Sequence, residues 1–476
     1  MSQPTATHAA SHGGPSARAA VVLAAGKGTR FRSERAKVLH RVAGRTMLRW
    51  VLEALRPLGL DRIVVVVGHQ ADEVRAEVEA AGLEHAVTVE QPEQRGTGHA
   101  VRCAVDDGAL AGIDRVLVVS GDLPLLTPEA LAPVLDAGDP AATLLTCHAS
   151  DPTGYGRVVR DARGQVARVV EERDATDEER ALTEVNTSVY VFDAALLATE
   201  LDKLSTDNVQ GEEYLTDVVA PLTAHGVGAV LGREEDVTGV NDRAQLAAVG
   251  AVLRGRILSR LMRDGVTVED PATTYIEADV VIEPDTLVRP ATHLEGATRI
   301  AAHAEVGPGC RLVDTTVGAG ASVTHTVAFG ARIGDDATVG PFTYLRPGTV
   351  LGTRSKAGAF VEMKSSRVGD RSKVPHLSYI GDTEIGEDSN IGAATVTVNY
   401  DGFSKHRTVV GDRTMVGSDT MLVAPVTVGS DAYTGAGSVI TTDVPDGALA
   451  VERGEQRTVE GWTARKRARE QARKDS

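Results

Sequence analysis

From Ile282 to Leu312 the chain reads IEPDTLVRPATHLEGATRIAAHAEVGPGCRL, with an aliphatic residue at every sixth position: Ile282, Val288, Leu294, Ile300, Val306 and Leu312. A period of six is neither the 3.6 of a helix nor the 2 of a simple strand. It fits a coil of triangular cross-section, in which each six-residue side is a short parallel strand with one branched side chain pointing to the axis. After a shift of register the pattern runs through Val317 and Val323, then Ile333, Val339, Leu345 and Leu351. It resumes at Val368, Val374 and Ile380, then Ile385 and Ile391. It closes with Val410, Val416, Leu422, Val428 and Ile440, Thr434 being the polar member. Hexapeptide repeats of this kind predict a parallel β-helix. Gly follows the inward residue in Val339-Gly340, Ile391-Gly392 and Val416-Gly417, which suggests corners that need unusual backbone angles. The longest break, Ile391 to Val410, holds Asn399-Tyr400-Asp401-Gly402-Phe403-Ser404-Lys405. An insertion in a solenoid loops out of one face, commonly the binding face.

The first half alternates strand and helix. Ala19–Leu23, Arg62–Val67 and Arg115–Val119 read as short buried strands, and Leu48, Val51, Leu52 and Leu55 recur at helical spacing. Thr127-Pro128-Glu129 has the form of a helix cap with Pro at the first helical position. This alternation predicts a doubly wound parallel sheet. Leu246, Val249, Val252 and Leu253 mark one face of a helix. The expected organisation is a disordered tail at 1–17, an α/β domain at 18–242, a linker helix at 243–264, a β-helix at 265–455 and a basic, solvated tail at 456–476.

Composition narrows the function. The 476 residues carry 50 basic and 66 acidic side chains, a net charge of −16, which is a poor footprint for a nucleic-acid binder. Apolar residues at 42% are enough for a core. Aromatics at 3% against 49 glycines suit narrow, repetitive packing. The apolar run Ala19–Gly26 is too short to span a membrane and lacks the flanks of a secretory signal. Cys103, Cys147 and Cys310 show neither a disulfide framework nor a zinc spacing. The expected protein is soluble and cytoplasmic, without membrane insertion.

Two segments carry chemistry in the first half. After the first strand comes Leu23-Ala24-Ala25-Gly26-Lys27-Gly28-Thr29-Arg30, where small residues let backbone N–H groups approach phosphate and Lys and Arg bring countercharge. It is neither a P-loop nor a dinucleotide fingerprint, and alone it would serve a tight structural turn as readily. Lys37 follows, and a second Gly-rich loop runs Gln91-Pro92-Glu93-Gln94-Arg95-Gly96-Thr97-Gly98-His99. Asp122, directly after a strand, sits where open α/β sheets bind ligands and is a natural Mg²⁺ ligand beside phosphates.

Together these motifs resemble the sugar-1-phosphate nucleotidyltransferase family, and Lys37-Val38-Leu39-His40 extends the match. Gly154-Tyr155-Gly156-Arg157, Val170-Glu171, Glu184-Val185-Asn186-Thr187, Gln210-Gly211-Glu212 and Gly239-Val240-Asn241 carry it further. With the hexapeptide half added, the resemblance covers roughly residues 18–462. It implies a two-reaction enzyme that acetylates glucosamine-1-phosphate from acetyl-CoA, then transfers uridylyl from UTP to give UDP-N-acetylglucosamine, a precursor of bacterial cell-wall glycans.

The resemblance also implies roles residue by residue. Leu23, Ala24, Ala25, Gly26, Arg30 and Lys37 would hold UTP, while Gln91, Gly96 and Thr97 would read uracil. Gly156, Glu171 and Asn186 would bind the N-acetylglucosamine moiety, and Asp122 and Asn241 would hold Mg²⁺. In the coil, His376 would be the general base, suited to removing the proton from an ammonium. Arg346 and Lys364 would clamp the sugar phosphate, Tyr379 and Asn390 would touch the sugar, and Asn399 would support His376 beside the acetyl-CoA site. Ala393, Tyr400, Lys405, Ser418, Ala436 and Arg453 would line that site. Ala394, Val398 and Ser120 depart from the family pattern. Coils of this kind imply a homotrimer with closed threefold symmetry.

Overall fold

The computed structural model describes residues 16–474, so all but the last two residues of the tail expected at 1–17 lie outside it. The chain divides into two compact units, with the division between Arg256 and Ile257.

The first unit is a layered α/β structure. Its sheet runs, edge to edge, Val227–Leu231, Ala142–His148, Glu184–Asp193, Arg115–Ser120, Arg18–Leu23, Arg62–Val67 and Ala86–Glu90. Strand Arg18–Leu23 is central and pairs in parallel with Arg62–Val67 and Arg115–Ser120. Its side chains alternate between two cores: Ala20 and Val22 face one, Ala19 and Val21 the other. Helix Met47–Leu55 covers one face through Leu48, Val51, Leu52 and Leu55, each at most 1% exposed. Helix Pro128–Leu135 starts as read, with Thr127 Oγ1 accepting from Ala130 N.

The sheet is mixed rather than all parallel. Strand Glu184–Asp193 runs antiparallel to both neighbours, with a register shift between Asn186 and Tyr190. A hairpin of Arg157–Arg160 and Val166–Val170 intervenes before it and sends the chain back across the sheet in the opposite direction. That reversal depends on the path of the chain and leaves no mark in side-chain periodicity.

The second unit is the hexapeptide β-helix: three parallel sheets of 11, 10 and 9 strands, successive strands going to successive sheets. Each turn stacks on the last, so that Leu294 pairs with Leu312 and Ile300 with Val317. Ile282, Val288, Leu294, Ile300, Val306 and Leu312 are all buried, the most exposed at 7%. Buried hydroxyls donate to backbone carbonyls, Thr298 to Glu295 O within its own turn and Thr414 to Gly429 O of the next turn, each at 2.7 Å. Most polar groups in this core have a partner, Ser355 Oγ and Thr408 Oγ1 being exceptions.

The role read for the glycines needs correction. Gly340 does have a positive φ of 102°, but Gly392 and Gly417 do not. A Cβ on Gly392 would stand 2.4 Å from Ser418 N, and one on Gly417 2.6 Å from Ala436 N. These two are glycine because stacked turns pass too close for a side chain. The left-handed corners are taken mostly by other residues, among them Asp285, His303, Phe342, Phe360 and Leu377.

The insertion after strand Val396–Val398 folds back through an antiparallel bridge between Tyr400 and Lys405 and leaves Phe403 95% exposed. A 21-residue helix spans Arg243–Arg263. The basic tail, read as solvated, contains helix Trp462–Lys474, exposed along its whole length. With no apolar stripe to bury, it gave no periodic signal. Among the described residues no helix is long and apolar enough to cross a membrane.

Candidate active sites

The larger site is a cleft of about 750 Å³ at the carboxyl ends of the central strands. Strand Arg18–Leu23 ends there, and Leu23, Ala24, Ala25, Gly26 and Arg30 border the cleft with Lys37, Gln91, Gly96, Thr97, Asp122, Glu171 and Asn186. Gly28 adopts the left-handed conformation before the short turn Thr29–Phe31. A Cβ there would meet Lys37 Cβ at 2.6 Å, so the glycine makes room for the stem that carries the Lys37 ammonium inward.

Lys37, Asp122, Arg30 and Asn241 form one cluster. The Lys37 ammonium is paired with Asp122 and lies 3.3 Å from Asn241 Oδ1, which also accepts from Arg30 Nη2 at 2.8 Å. Ser120 Oγ donates to the other Asp122 oxygen at 2.6 Å. Burial pushes the Asp122 carboxyl up, but the Lys37 ammonium and the hydrogen bonds from Lys37 and Ser120 outweigh it and hold the group below the ordinary aspartate value. Two hard oxygens, from Asp122 and Asn241, therefore converge on one cation. That donor set suits Mg²⁺, which keeps few protein ligands and takes the remainder from phosphate and water.

At the far side, Glu171 accepts from Thr216 Oγ1 at 3.1 Å. Burial raises its carboxyl above the ordinary glutamate value, and Asp217, Asp174 and Glu212 add to the rise against the Thr216 hydrogen bond. Asn186 is buried and donates to the Tyr190 hydroxyl at 2.6 Å. Gly156 does not border the cleft: its carbonyl accepts from Asn186 N at 2.8 Å and so holds that residue from behind. Thr216 and Tyr190 were not singled out from sequence. Tyr190 reaches Asn186 only across the register shift, which strand periodicity does not reveal.

In the coil, Arg346, Lys364 and Tyr379 belong to successive turns of the 10-stranded sheet, with Glu362 paired to Tyr379 and Lys364 to Gly381. Arg346 pairs with Glu362 at 3.0 Å and Lys364 with Asp382 at 3.5 Å. Lys405 comes in from the insertion: its ammonium titrates below the ordinary lysine value because Lys364 faces it, with burial and Arg346 adding to the fall and Asp382 opposing it. Three cations held together favour a multiply charged anion, such as a phosphate monoester.

His376 ends strand Lys373–His376 of the adjoining sheet and is exposed. Asn399 does not hold it. The Asn399 amide donates to Asp382 Oδ2 at 2.5 Å, because the strand before it delivers it over Gly381, whose missing side chain leaves the space. Asp382, a left-handed corner residue, thus links Lys364 to Asn399, a role that no sequence motif marked. Asn390 lies apart from the phosphate cluster, in a groove of about 520 Å³ with Lys373 and Met415. Ala393, Ser418 and Ala436 sit at stacked corners, where Asp419 N donates to Ala393 O and Arg453 Nη1 to Ala436 O. Tyr400 is exposed on the insertion and donates to Gly402 O at 2.7 Å. Beside it the Asp401 carboxyl is held far below its usual value by the Ser404 N–H, His406 and the Phe403 N–H, which ties the loop into its turn.

Comparison with known proteins gives two family matches: a MobA-like NTP transferase domain over residues 20–191 and a hexapeptide repeat of succinyl-transferase over residues 407–442. Whole-chain relatives are named bifunctional protein GlmU. The one from Streptomyces avermitilis is 52% identical over 459 residues, covering 94% of both chains. Those from Corynebacterium efficiens, 50% identical, and Mycolicibacterium vanbaalenii, 52% identical, each match over 463 residues. The first covers 95% of both chains, the second 94% of this chain and 93% of its own.

Proposed function

The chain belongs to the family of bifunctional GlmU proteins, and on that premise we propose that it acetylates glucosamine-1-phosphate from acetyl-CoA and then couples the product to UTP. The products are coenzyme A, UDP-N-acetylglucosamine and pyrophosphate. The observation that carries the reading is the convergence of Lys37, Arg30, Asp122 and Asn241 at a strand-end cleft, in a chain whose other half gathers Arg346, Lys364 and Lys405 and carries His376 at a strand end of the adjoining sheet.

In the first unit, Gln91, Gly96 and Thr97 take the base, Glu171 and Asn186 the sugar, and Arg30 and Lys37 the phosphates. A phosphate oxygen of the sugar-1-phosphate attacks the α-phosphorus in line, and pyrophosphate departs. Arg30 and Lys37 neutralise charge on the transferring group, and holding both substrates in one cleft supplies much of the acceleration. Mg²⁺, held by Asp122 and Asn241, would add Lewis-acid stabilisation of the phosphate oxygens.

In the coil, the cations fix the phosphate of glucosamine-1-phosphate. His376 removes one proton from the substrate ammonium, and the free amine attacks the thioester carbonyl. As the C–S bond breaks, the nitrogen gives up its second proton to the departing sulfur, so that coenzyme A leaves as the thiol. Ala393, Ser418, Ala436 and Arg453 form the wall along which acetyl-CoA lies, with Tyr400 near it. A homotrimer of coils is part of the proposal: it would close the exposed side of His376 and the Phe403 loop against a second copy. So is a cytoplasmic setting, where both co-substrates are made.

The test supplies glucosamine-1-phosphate, acetyl-CoA, UTP and Mg²⁺ to the purified protein and follows thiol and pyrophosphate separately. Release of both is expected. His376→Ala should lose thiol release yet make pyrophosphate from supplied N-acetylglucosamine-1-phosphate, and Asp122→Ala should do the reverse. Loss of both activities in either variant would overturn the assignment of two independent sites.

A further inference from the structure

Gln91 borders the cleft at the end of strand Ala86–Glu90 and is 3% exposed. A carboxamide offers two N–H donors and one carbonyl acceptor. Gln91 Nε2 lies 3.0 Å from Gly96 O and 3.0 Å from His99 Nδ1. Gly96 O can only accept, so the amide must turn its nitrogen that way. Its second N–H then meets His99, and Nδ1 has to accept it. The ring proton is therefore on Nε2, where Cys103 Sγ lies 3.8 Å away as a weak acceptor. The chain of bonds has one polarity, set by a backbone carbonyl at one end. It uses both Gln91 donors, and among the described residues no donor meets Oε1.

What remains for a ligand is a fixed carbonyl oxygen, an acceptor only. Uracil presents an N–H at N3, whereas cytosine presents a lone pair there. We propose that His99, in its Nε2–H tautomer, is a positioning residue that locks the Gln91 amide and so selects uracil over cytosine. His99 does not itself border the cleft and acts only through Gln91. Without the imidazole, the second Gln91 N–H is buried without a partner, and the amide swings or turns to find one. A site built to hydrogen-bond one edge of a base rejects the wrong base by leaving its own groups unpaired. The inference rests on the reading of Gln91 as the residue that meets the base.

The experiment measures pyrophosphate release from UTP and from CTP, with N-acetylglucosamine-1-phosphate and Mg²⁺, for His99→Ala, His99→Asn and Gln91→Ala. His99→Ala should raise KM for UTP about five- to tenfold, the loss of one hydrogen bond between neutral groups. Its kcat should stay within about twofold, and the ratio of kcat/KM for UTP over CTP should fall by a similar factor. His99→Asn, whose Oδ1 takes the place of Nδ1 as acceptor, should restore most of the ratio. Acetyl transfer by the same preparations reports that the chain is folded. An unchanged ratio in His99→Ala beside a lowered one in Gln91→Ala overturns the inference alone. An unchanged ratio in both overturns the reading of Gln91 and the inference with it. Equal loss in the Ala and Asn variants reduces His99 to packing and also overturns it.

Discussion

Replacing Gly358 by alanine should silence one half of this protein and spare the other. Gly358 is buried in strand Lys356–Ala359, which pairs with strand Lys373–His376 so that Ala359 lies opposite His376. A Cβ on Gly358 would stand 2.0 Å from Pro375 O, 2.7 Å from its carbonyl carbon and 3.0 Å from its Cα. Ordinary contact is about 3.5 Å, so the two strands must part by more than about 1 Å, and all three obstructing atoms are backbone. Overpacking of this kind costs about 1–3 kcal/mol, which a coil of many stacked turns survives. Pro375 immediately precedes His376, so the displacement passes directly to the base. A misplacement of about 1 Å at a reacting group costs on the order of 100-fold in rate. The assay follows thiol release from acetyl-CoA and pyrophosphate release from UTP on one preparation, with thermal unfolding as a check on the fold. Acetyl transfer should fall about 100-fold while uridylyl transfer stays within about twofold. A folded Gly358→Ala protein that keeps acetyl transfer within about threefold would refute the placement of His376 as base, or the claim that this strand sets its position.

Other substitutions follow from the same geometry. Asp122→Ala removes an oxygen from the proposed cation site and leaves Lys37 and Arg30 with Asn241 alone; uridylyl transfer should fall about 100- to 1000-fold, and raised Mg²⁺ should recover only part of it. Glu171 carries a carboxyl that burial holds above its ordinary value, so its contribution to stability is present in full below the usual glutamate range and is lost as pH rises through the raised value. Glu171→Gln should therefore unfold at a higher temperature than the unmodified chain at pH 8, the gain shrinking toward pH 4, while KM for the sugar phosphate rises. Equal gains at both pH values would contradict the burial argument. Gly255 is exposed inside helix Arg243–Arg263, and a Cβ there meets nothing within 4 Å; Gly255→Ala should add about 0.5–1 kcal/mol in denaturant unfolding without changing either activity.

What could be read from the sequence was whatever the fold writes as a one-dimensional pattern. The coil does so fully, since each turn must put one branched aliphatic on the axis, and Val288, Leu294, Val306 and Leu312 are all completely buried. The nucleotide cleft is nearly as legible, because its loops follow strands directly and phosphate needs Gly, Lys and Arg there. Illegibility begins where position depends on what stacks above or beside. Gly392 and Gly417 look like flexible corners, yet their reason lies one turn away, at Ser418 and Ala436. The true left-handed corners carry Asp, His, Arg, Phe and Leu, so no residue type announces them. Their strain is borne by the turns stacked on either side, as at Leu377, whose N–H is fixed on Ala359 O. The same holds for Asn399. Nothing near it in sequence says that it will meet Asp382 rather than His376; only the register of the two turns does. If that bond organises the phosphate cluster by holding Asp382 against Lys364, Asn399→Ala should raise KM for glucosamine-1-phosphate more than it lowers kcat. A residue supporting the base would do the opposite, because its loss would appear at the proton transfer and leave binding almost untouched. The split between KM and kcat in that one variant therefore decides between the role the resemblance implied and the one the geometry gives.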